Sequence, residues 1–343
     1  MSHLTNFIGD WVLINVIIFY LCIMKTAILL ATYNGVKYLR EQVESLYRQT
    51  YTEWTLYVSD DGSTDGTIEL LAEYERTKKN FVVLRRREGE KERGTGDSIK
   101  QRKGGAKENF LWLLEQVDAD YYFFCDQDDI WREDKMAVEM ERMLKEQNVQ
   151  SPIVGEASAI QAQLKTAESQ HESTKFKPMV VFSDLYVTDA QMNVMCESFH
   201  HYSGIRPQLI NSFNEAGGVN HVTGCTMLIN RMAKACVKLP ATAAAMHDSW
   251  VTLCVLKAGG TLAYVQQPLV YYRQHGGNTL GASDFSRLSL AWRAKNYNAT
   301  VRQLCERYRM LKALDYGPWI KFIYYRMLYK WRRKKLIVDK LTN

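Results

Sequence analysis

Three carboxylates close an apolar run and give the first chemical signal in the sequence. Asp126, Asp128 and Asp129 directly follow residues 121–125 (YYFFC). An uninterrupted apolar run of this length predicts a strand that is buried on both faces and ends at a solvent-facing edge. Carboxylates so close repel one another, which favours a bound Mg²⁺ or Mn²⁺, and through it a phosphate, over Zn²⁺. The alternative is that Asp128 or Asp129 caps a helix beginning near Glu133.

Two earlier turns carry side chains that suit a nucleotide. Residues 32–35 (TYNG) and 60–63 (DDGS) each follow an apolar run of strand length. Taken alone, Asp61 is best interpreted as a turn former. If both turns share one edge of a sheet with the carboxylates, a nucleotide pocket becomes the better interpretation. Tyr33 would then offer a ring face and Asp61 an acceptor for a base N–H.

The later part of the chain holds a lone acid and a glycine-rich loop. Asp248 lies near the start of a predicted helix, where the helix dipole alone would favour it. A general base at a cleft is the functional alternative, and position alone does not favour it. Gly224, inside the strand-like run 222–229, permits close approach of a ligand. The loop that begins at Arg273 and contains Gly276 is able to fold over a phosphate, and His275 is a further candidate metal ligand.

Alternating strands and helices must position these residues. Strands are predicted at residues 27–31, 55–59, 81–84, 121–125, 180–184, 222–229 and 264–272. Helices are predicted at residues 39–49, from 64 with Ile68, Leu70, Leu71 and Tyr74 on the inner side, at 107–116, at 134–145 and from 246. Such alternation predicts a mostly parallel sheet flanked by helices, with ligands beyond the carboxyl ends of the strands. Loop-like composition marks residues 86–105 and an insertion at residues 146–178.

Composition indicates an ordinary globular protein with local basicity. The chain has 343 residues, of which 46% are hydrophobic, and a net charge of +6. Residues 319–343 hold eight Lys or Arg and one Asp, a balance of +7, so the rest of the chain carries −1 and no general nucleic-acid surface is indicated. The seven cysteines are scattered and never spaced as Cys-x-x-Cys, which predicts reduced thiols in a cytoplasmic protein.

Both ends of the chain carry apolar segments. Residues 11–24 form an apolar run too short for an ordinary membrane span. A weak anchor, an extra buried segment and an upstream start codon before Met24 are the three interpretations, and we favour the last. The tail at residues 319–343 is basic and aromatic at helical spacing, which predicts a helix lying on an anionic membrane face.

Five motifs in order resemble family 2 glycosyltransferases with the GT-A fold. They are residues 31–35 (ATYNG), 59–67 (SDDGSTDGT), 126–129 (DQDD), 247–250 (HDSW) and 272–279 (YRQHGGNT). The form of residues 126–131 together with 247–250 is most similar to the bacterial branch that includes rhamnosyltransferases of surface-polysaccharide assembly. The resemblance implies a GT-A domain over residues 25–280, with a nucleotide-binding half at 25–145 and an acceptor half at 179–280. Residues 1–24 would be an extension and 281–343 a helical tail.

The resemblance also implies an activity and its residues. The activity would be inverting transfer of a sugar, such as rhamnose, from a dTDP- or UDP-linked donor to a hydroxyl of a glycan or polyprenyl-linked acceptor. Mg²⁺ or Mn²⁺ would be the cofactor, and the enzyme would lie on the inner face of the bacterial cytoplasmic membrane. The implied site residues are Asp248 as catalytic base; Thr32, Tyr33, Asn34, Asp61 and Asp128 for the donor nucleotide; Asp126, Asp128, Asp129 and His275 for the metal; and Gly224, His247, Trp250, Arg273 and Gly276 for the acceptor and phosphate loop.

Two other functions stay open at this point. A sugar-phosphate nucleotidyltransferase would share the sheet and the metal carboxylates, but it usually has a glycine-rich loop after the first strand, where this chain has residues 31–35 (ATYNG). A non-catalytic, membrane-associated binding protein would have no need of Asp248.

Overall fold

The computed structural model describes residues 24–86, 105–147, 176–275 and 297–342, with side chains given for 298–336 of the last range. The predicted N-terminal extension, Gly276, and most of the loop at 86–105 and of the insertion lie outside these ranges. The strands are β1 (Thr26–Thr32), β2 (Thr55–Asp60), β3 (Phe81–Val83), β4 (Tyr121–Cys125), β5 (Ile130–Trp131), β6 (Met179–Thr188), β7 (Val194–Cys196), β8 (Met227–Asn230) and β9 (Thr261–Arg273). The helices are α1 (Val36–Tyr47), α2 (Thr67–Thr77), α3 (Ala106–Gln116), α4 (Lys135–Glu146), α5 (Phe199–Tyr202), α6 (Phe213–Gly218), α7 (Arg231–Cys236), α8 (His247–Lys257), α9 (Tyr297–Ala313) and α10 (Trp319–Thr342).

The strands form one sheet in the order β3-β2-β1-β4-β8-β6-β9-β5, with β7 paired to β6. Strands β3, β2, β1 and β4 are parallel, as predicted, and Ile28 of β1 lies between Leu56 and Phe123. Each apolar side chain so buried contributes about 1.5–3 kcal/mol relative to an exposed one. These strands therefore form a rigid base for the turns at their carboxyl ends.

Beyond β4 the sheet is mixed, so the prediction of a mostly parallel sheet is wrong for this half. Strand β8 is antiparallel to both β4 and β6, while β9 is parallel to β6. The prediction of parallel strands assumed that a helix crosses between each pair of strands. Strands β6 and β8 are instead joined by an irregular segment whose α-helices have only four and six residues. The strand predicted at 222–229 begins only at Met227, because Gly224–Thr226 form a 3₁₀ turn.

Helices cover both faces of the sheet, as predicted. Ile28 and Leu30 of β1 belong to the core that includes α1, α2 and α4, whereas Ala27 and Leu29 belong to the core that includes α3 and α8. The α3–α8 core also holds Met310 of α9 and Phe322 of α10. The C-terminal helices are therefore packed onto the same face as α8.

Helix α2 departs from its predicted orientation at one residue. Leu70, Leu71 and Tyr74 are buried as predicted, but Ile68 is 49% exposed. Successive residues of a helix are turned by about 100°, so a face that holds 67, 70, 71 and 74 leaves 68 outside it. None of the six described cysteines forms a disulfide with another described cysteine.

Candidate active site

A cavity of about 490 Å³ opens beyond the carboxyl ends of β1 and β4. Its lining consists of Tyr33, Asn34, Gly35, Lys37, Tyr38, Gln127, Asp128 and His275. The cavity therefore joins the first predicted turn, the carboxylate cluster and the start of the glycine-rich loop. This is the edge at which the sequence placed a nucleotide pocket.

The turn after β1 is fixed to the carboxylate loop by a side chain that the sequence reasoning did not use. The Gln127 amide accepts from Tyr33 N–H at 2.9 Å and donates to the Tyr33 carbonyl at 3.0 Å. A Cβ on Gly35 would lie 2.1 Å from Gln127 Oε1, so only glycine fits there without movement of Gln127. Asn34 has a positive φ of 47° and accepts from Thr64 N–H at 2.8 Å. The bond from Thr64 joins the turn after β1 to the turn after β2, and the Gln127 bonds join it to the carboxylate loop.

The adjacent acids Asp60 and Asp61 have different roles. Asp60 accepts from the N–H groups of Gly62 and Ser63 and from Thr32 Oγ1, at 2.7–2.9 Å, and so shapes the turn. Thr32, predicted to bind the nucleotide, thus supports the turn in this structure. The side chain of Asp61 is 5% exposed, and its Oδ1 lies 3.7 Å from Arg86 Nη2.

Burial raises the pKa of Asp61 to about 6, against the opposing effect of Arg86. The Arg86 guanidinium also lies 5.0 Å from the ring centre of Trp112. A carboxylate whose side chain is 5% exposed, with a cation beside it, is able to accept a hydrogen bond from a planar N–H donor. Asp61 therefore fits its predicted contact with a base.

The predicted metal carboxylates separate into two groups. Asp128 Oδ2 lies 2.7 Å from His275 Nε2, and both side chains line the cavity. Ligand atoms of Asp126, Asp129 and Cys225 instead lie within 4.8 Å of one another on the inner side. Asp129 is fully buried, and its Oδ1 accepts from Arg273 N–H at 3.2 Å. The structure therefore brings Asp128 and His275, but not Asp129, to the cavity wall.

The charges at this edge are poorly compensated by protein groups. Burial, followed by the charges of Asp128 and Asp248, raises the pKa of Asp126 to about 7. Burial also raises the pKa of Asp129 well above its ordinary value, and hydrogen bonds from the Arg273 N–H and the Cys225 thiol oppose this only in part. A carboxylate and an imidazole facing a polar cavity, beside excess negative charge, fit a divalent cation such as Mn²⁺ or Mg²⁺.

Asp248 lies in the first turn of α8 with 6% of its surface exposed. Its Oδ1 accepts from Ser249 N–H at 2.5 Å, and its Oδ2 accepts from Asn220 Nδ2 at 3.3 Å. Burial raises the pKa of Asp248 to about 6, while these bonds, the Gly224 N–H and the positive charge of Arg307 oppose the rise. The carboxylate is thus ionised near neutral pH and basic enough to accept a proton.

His247 and Gly224 pack together beside this acid. The His247 ring lies 4.3 Å from the Phe110 ring and 5.6 Å from the Phe124 ring, centre to centre. Burial lowers the pKa of His247 to about 3, so the ring is neutral. A Cβ on Gly224 would lie 2.4 Å from His247 Nε2, so His247 occupies the space beside this glycine that the sequence assigned to a ligand.

Trp250 and Arg273 were both predicted to contact acceptor or phosphate, but their contacts in the structure are with other parts of the protein. Trp250 is buried in the α3–α8 core and donates from Nε1 to the Lys238 carbonyl at 3.0 Å. The structure does not bring it to the cavity. Arg273 donates from Nε to the Asp128 carbonyl at 2.9 Å and forms an ion pair with Glu41. It therefore holds the carboxylate loop in place.

Sequence reasoning missed Gln127, Asn220, Cys225 and Arg307. Gln127 lies inside the carboxylate motif and Cys225 follows Gly224, so both were within segments already singled out. Asn220 and Arg307 lie in segments of irregular or ordinary helical pattern. Nothing in the sequence marks either as a neighbour of Asp248.

The chain is similar to known glycosyltransferases. The family described as Glycosyl transferase family 2 matches residues 27–95. Over 110 residues the chain is 34% identical to dTDP-rhamnosyl transferase RfbG of Shigella flexneri, covering 31% of this chain and 34% of that protein. Over 119 residues it is 28% identical to the putative teichuronic acid biosynthesis glycosyltransferase TuaG of Bacillus subtilis, covering 35% and 42%. The matches thus span only about a third to two fifths of these relatives.

Among solved structures, the mannosyltransferase PcManGT of Pyrobaculum calidifontis, in complex with GDP-Man and Mn²⁺, overlaps 93% of this chain and 86% of its own, with 15% identity and a TM-score of 0.45. The family match and the relatives confirm the predicted resemblance to family 2 glycosyltransferases.

Proposed function

We propose that the chain is a metal-dependent, inverting glycosyltransferase of bacterial surface-polysaccharide synthesis. It would transfer a sugar such as rhamnose from a dTDP- or UDP-linked donor to a hydroxyl of a glycan or polyprenyl-linked acceptor. The observation that carries the proposal is the shared edge of Asp61, Asp128 and Asp248. Asp126 lies close enough to both Asp128 and Asp248 for their charges to raise its pKa.

The donor nucleotide would bind between the two turns. A uracil or thymine ring presents an N–H, and the buried Asp61 carboxylate can accept a hydrogen bond from it. Tyr33, 37% exposed, offers its ring at the mouth of the cavity. The relative from Shigella flexneri, by its name, uses a dTDP-linked rhamnose, which supports a pyrimidine base here.

The diphosphate would lie at Asp128 and His275, which we propose as the protein ligands of the metal. A cation held there would supply positive charge that favours departure of the nucleoside diphosphate. Asp126 and Asp129 stay predicted ligands, and the burial of Asp129 makes it the weaker candidate. Arg273 and Gln127 hold this loop against the turn after β1, so the ligands keep their positions.

Asp248 would act as general base. Its carboxylate accepts the proton of the acceptor hydroxyl while that oxygen attacks the anomeric carbon from the side opposite the leaving group, which inverts the configuration. Asn220, Ser249 N–H and Gly224 N–H orient the carboxylate, so the proton is accepted at a fixed position.

A panel of nucleotide sugars tests the proposal. Purified protein would be heated with Mn²⁺ and dTDP-rhamnose, UDP-glucose, UDP-N-acetylglucosamine or GDP-mannose in turn. We expect a dTDP- or UDP-linked sugar to raise the midpoint of unfolding and to release nucleoside diphosphate slowly to water. If none of the four stabilises the protein or is hydrolysed, the proposed activity is wrong.

We propose further that helix α10 rests on an anionic membrane. Ile320, Tyr324, Met327 and Trp331 are 58–72% exposed. Their spacing of four, three and four residues gives one apolar stripe on the outer face of the helix. Lys334 and Lys335 are exposed near its end, and such a combination favours anionic lipid. Within the described residues, no helix combines the length and apolarity that a membrane crossing needs.

Flotation with vesicles tests this surface. Wild type is expected to float with phosphatidylglycerol-containing vesicles at low salt and not with pure phosphatidylcholine. The variant Ile320→Ser/Met327→Ser/Trp331→Ser should lose flotation. The matched control Val194→Ser/Met195→Ser changes two apolar residues of similar exposure, 48% and 52%, on β7. Equal flotation of both variants would contradict the assignment of α10.

A further inference from the structure

Arg307 of α9 makes three hydrogen bonds to segments next to Asp248. Its guanidinium donates to the Gly217 carbonyl at 2.8 Å, to the Ala216 carbonyl at 2.5 Å and to Ser249 Oγ at 2.9 Å. The first two acceptors are at the end of α6 and the third is in the first turn of α8. One side chain therefore joins two separate elements.

Each of these two elements leads to a residue that bonds one oxygen of the Asp248 carboxylate. The chain leaves α6 at Gly218 and reaches Asn220 two residues later, whose amide bonds to Asp248 Oδ2. Ser249 follows Asp248 directly. The guanidinium fork has donors fixed in one plane, so it sets the distance and the angle between the two segments.

The C-terminal helices are built to hold α6. Arg326 of α10 donates to the Gly218 carbonyl at 2.9 Å. A Cβ on Gly218 would lie 3.0 Å from the backbone nitrogen of Arg326, which shows how closely α10 and α6 approach. Carbonyls at the end of a helix carry partial negative charge, so two arginines there are favourably placed.

The charge of Arg307 also acts on Asp248. Its positive charge favours the ionised carboxylate. Asp126 faces the same acid, and the charge of Asp248 contributes, after burial and Asp128, to the raised pKa of Asp126. His247 and His221, whose pKa values burial lowers to about 3, are neutral. Arg326 lies behind Arg307 and lowers the pKa of the Arg307 guanidinium, with burial the larger cause.

We infer that Arg307 is the positioning residue of the catalytic base: it fixes α8 to α6 and thereby makes the tail of the chain part of the active-site support. This inference rests on the proposed function for its kinetic consequence. It extends the working enzyme beyond residues 25–280, the range covered by the sequence resemblance, because α9 begins only at Tyr297.

Substitution of Arg307 tests the inference by kinetics. In Arg307→Met, kcat for hydrolysis of the donor that stabilises wild type should fall on the order of 10-fold or more, because a base moved from its position loses much of its benefit. The KM for the donor should stay near the wild-type value. The acid limb of the kcat profile should move to higher pH, and Arg307→Lys should restore the limb because it keeps the charge.

Arg302 provides the matched control. It lies on the same helix, is 81% exposed, and pairs with Glu306 one turn away. Arg302→Met should therefore keep wild-type kcat, KM and pH profile. A folded Arg307→Met variant with the kcat, the KM and the pH profile of wild type would overturn the inference. Equal losses in kcat and in donor affinity would also overturn it.

A second readout does not depend on activity. Hydrogen exchange of residues 219–224 and 247–252 should be faster in Arg307→Met than in Arg302→Met, and unchanged exchange would overturn the inference even if wild type hydrolysed no donor.

If Arg307→Met does not fold, Ser249→Ala removes only the acceptor in α8. It should lower kcat at unchanged KM, and a wild-type kcat would count against the role of Arg307.

Discussion

Replacement of Asp248 by asparagine should slow the reaction and stabilise the protein at once. Asparagine keeps the shape of the side chain but cannot accept the proton. General-base help is typically about 10²–10⁴-fold, so we expect turnover to fall by that factor. Donor affinity should change little, since the proposed donor contacts lie at Asp61, Asp128 and His275.

The gain in stability follows from the cost of burying the charge. Asp248 is 6% exposed, and its pKa is raised from 3.8 to about 6, chiefly by burial. A gap of that size corresponds to about 3 kcal/mol between the charged and neutral forms. At pH 7 the variant lacks this cost, so its midpoint of unfolding should rise by several degrees, at roughly 1.4 °C per kcal/mol for a chain of 343 residues.

The sign of the pH dependence follows from the raised pKa. The folded protein holds the Asp248 proton more tightly than the unfolded chain, so this acid stabilises the fold below pH 4. That contribution is lost as the pH rises through about 6. The difference in midpoint between Asp248→Asn and wild type should therefore be small at pH 4 and largest above pH 6.

Thermal melts from pH 4 to 8 and nucleoside diphosphate release measure the two effects. Asp118→Asn is the control, because that side chain is 70% exposed. It should change neither turnover nor the pH dependence. A folded Asp248→Asn variant that keeps more than a tenth of wild-type turnover, or that is less stable than wild type at pH 7, would refute the reasoning.

Two further variants separate donor contact from support. Asp61→Asn should weaken binding of UDP or dTDP by roughly 10-fold or more in calorimetry, because it removes a buried charged acceptor, whereas kcat at saturating donor should stay within about 3-fold. Unchanged affinity for both nucleotides would contradict the base contact. Trp250→Phe should cost about 1–2 kcal/mol in urea unfolding, because the Lys238 carbonyl loses its buried donor, with donor hydrolysis unchanged. A fall in hydrolysis without loss of stability would instead restore the predicted role of Trp250 at the acceptor.

Much of the structure of residues 25–145 could be predicted from sequence because its signals are local. The apolar runs of β1 and β4 cannot be stable anywhere but inside a sheet, and the turns after them carry polar residues that must face solvent. Those two facts place Tyr33 and Asp128 at one edge without any knowledge of distant contacts. The direction of β8 is not local, because it depends on how the irregular segment before it crosses the sheet.

For the candidate site, the sequence could identify the motifs but not which residue of each motif reaches the cavity. Asp128 and Asp129 are adjacent and chemically identical, yet only Asp128 reaches the cavity. The strand β5 starts at Ile130 and fixes Asp129 inward, toward the Arg273 backbone. Arg307 lies 59 residues after Asp248, on a helix with no marked pattern. Its contact arises from packing of α9 and α10, and no spacing in the sequence records that packing.

Titration with Mn²⁺, followed by electron paramagnetic resonance in the presence of dTDP or UDP, tests the metal-bound donor site most directly. We expect wild type to bind one Mn²⁺ with the nucleotide, and both Asp128→Ala and His275→Ala to weaken that binding by 10-fold or more, as loss of a ligand should. Asp118→Ala should bind as wild type does. If Asp128→Ala and His275→Ala bind Mn²⁺ and nucleotide as tightly as wild type, the cavity beside β4 is not the donor site.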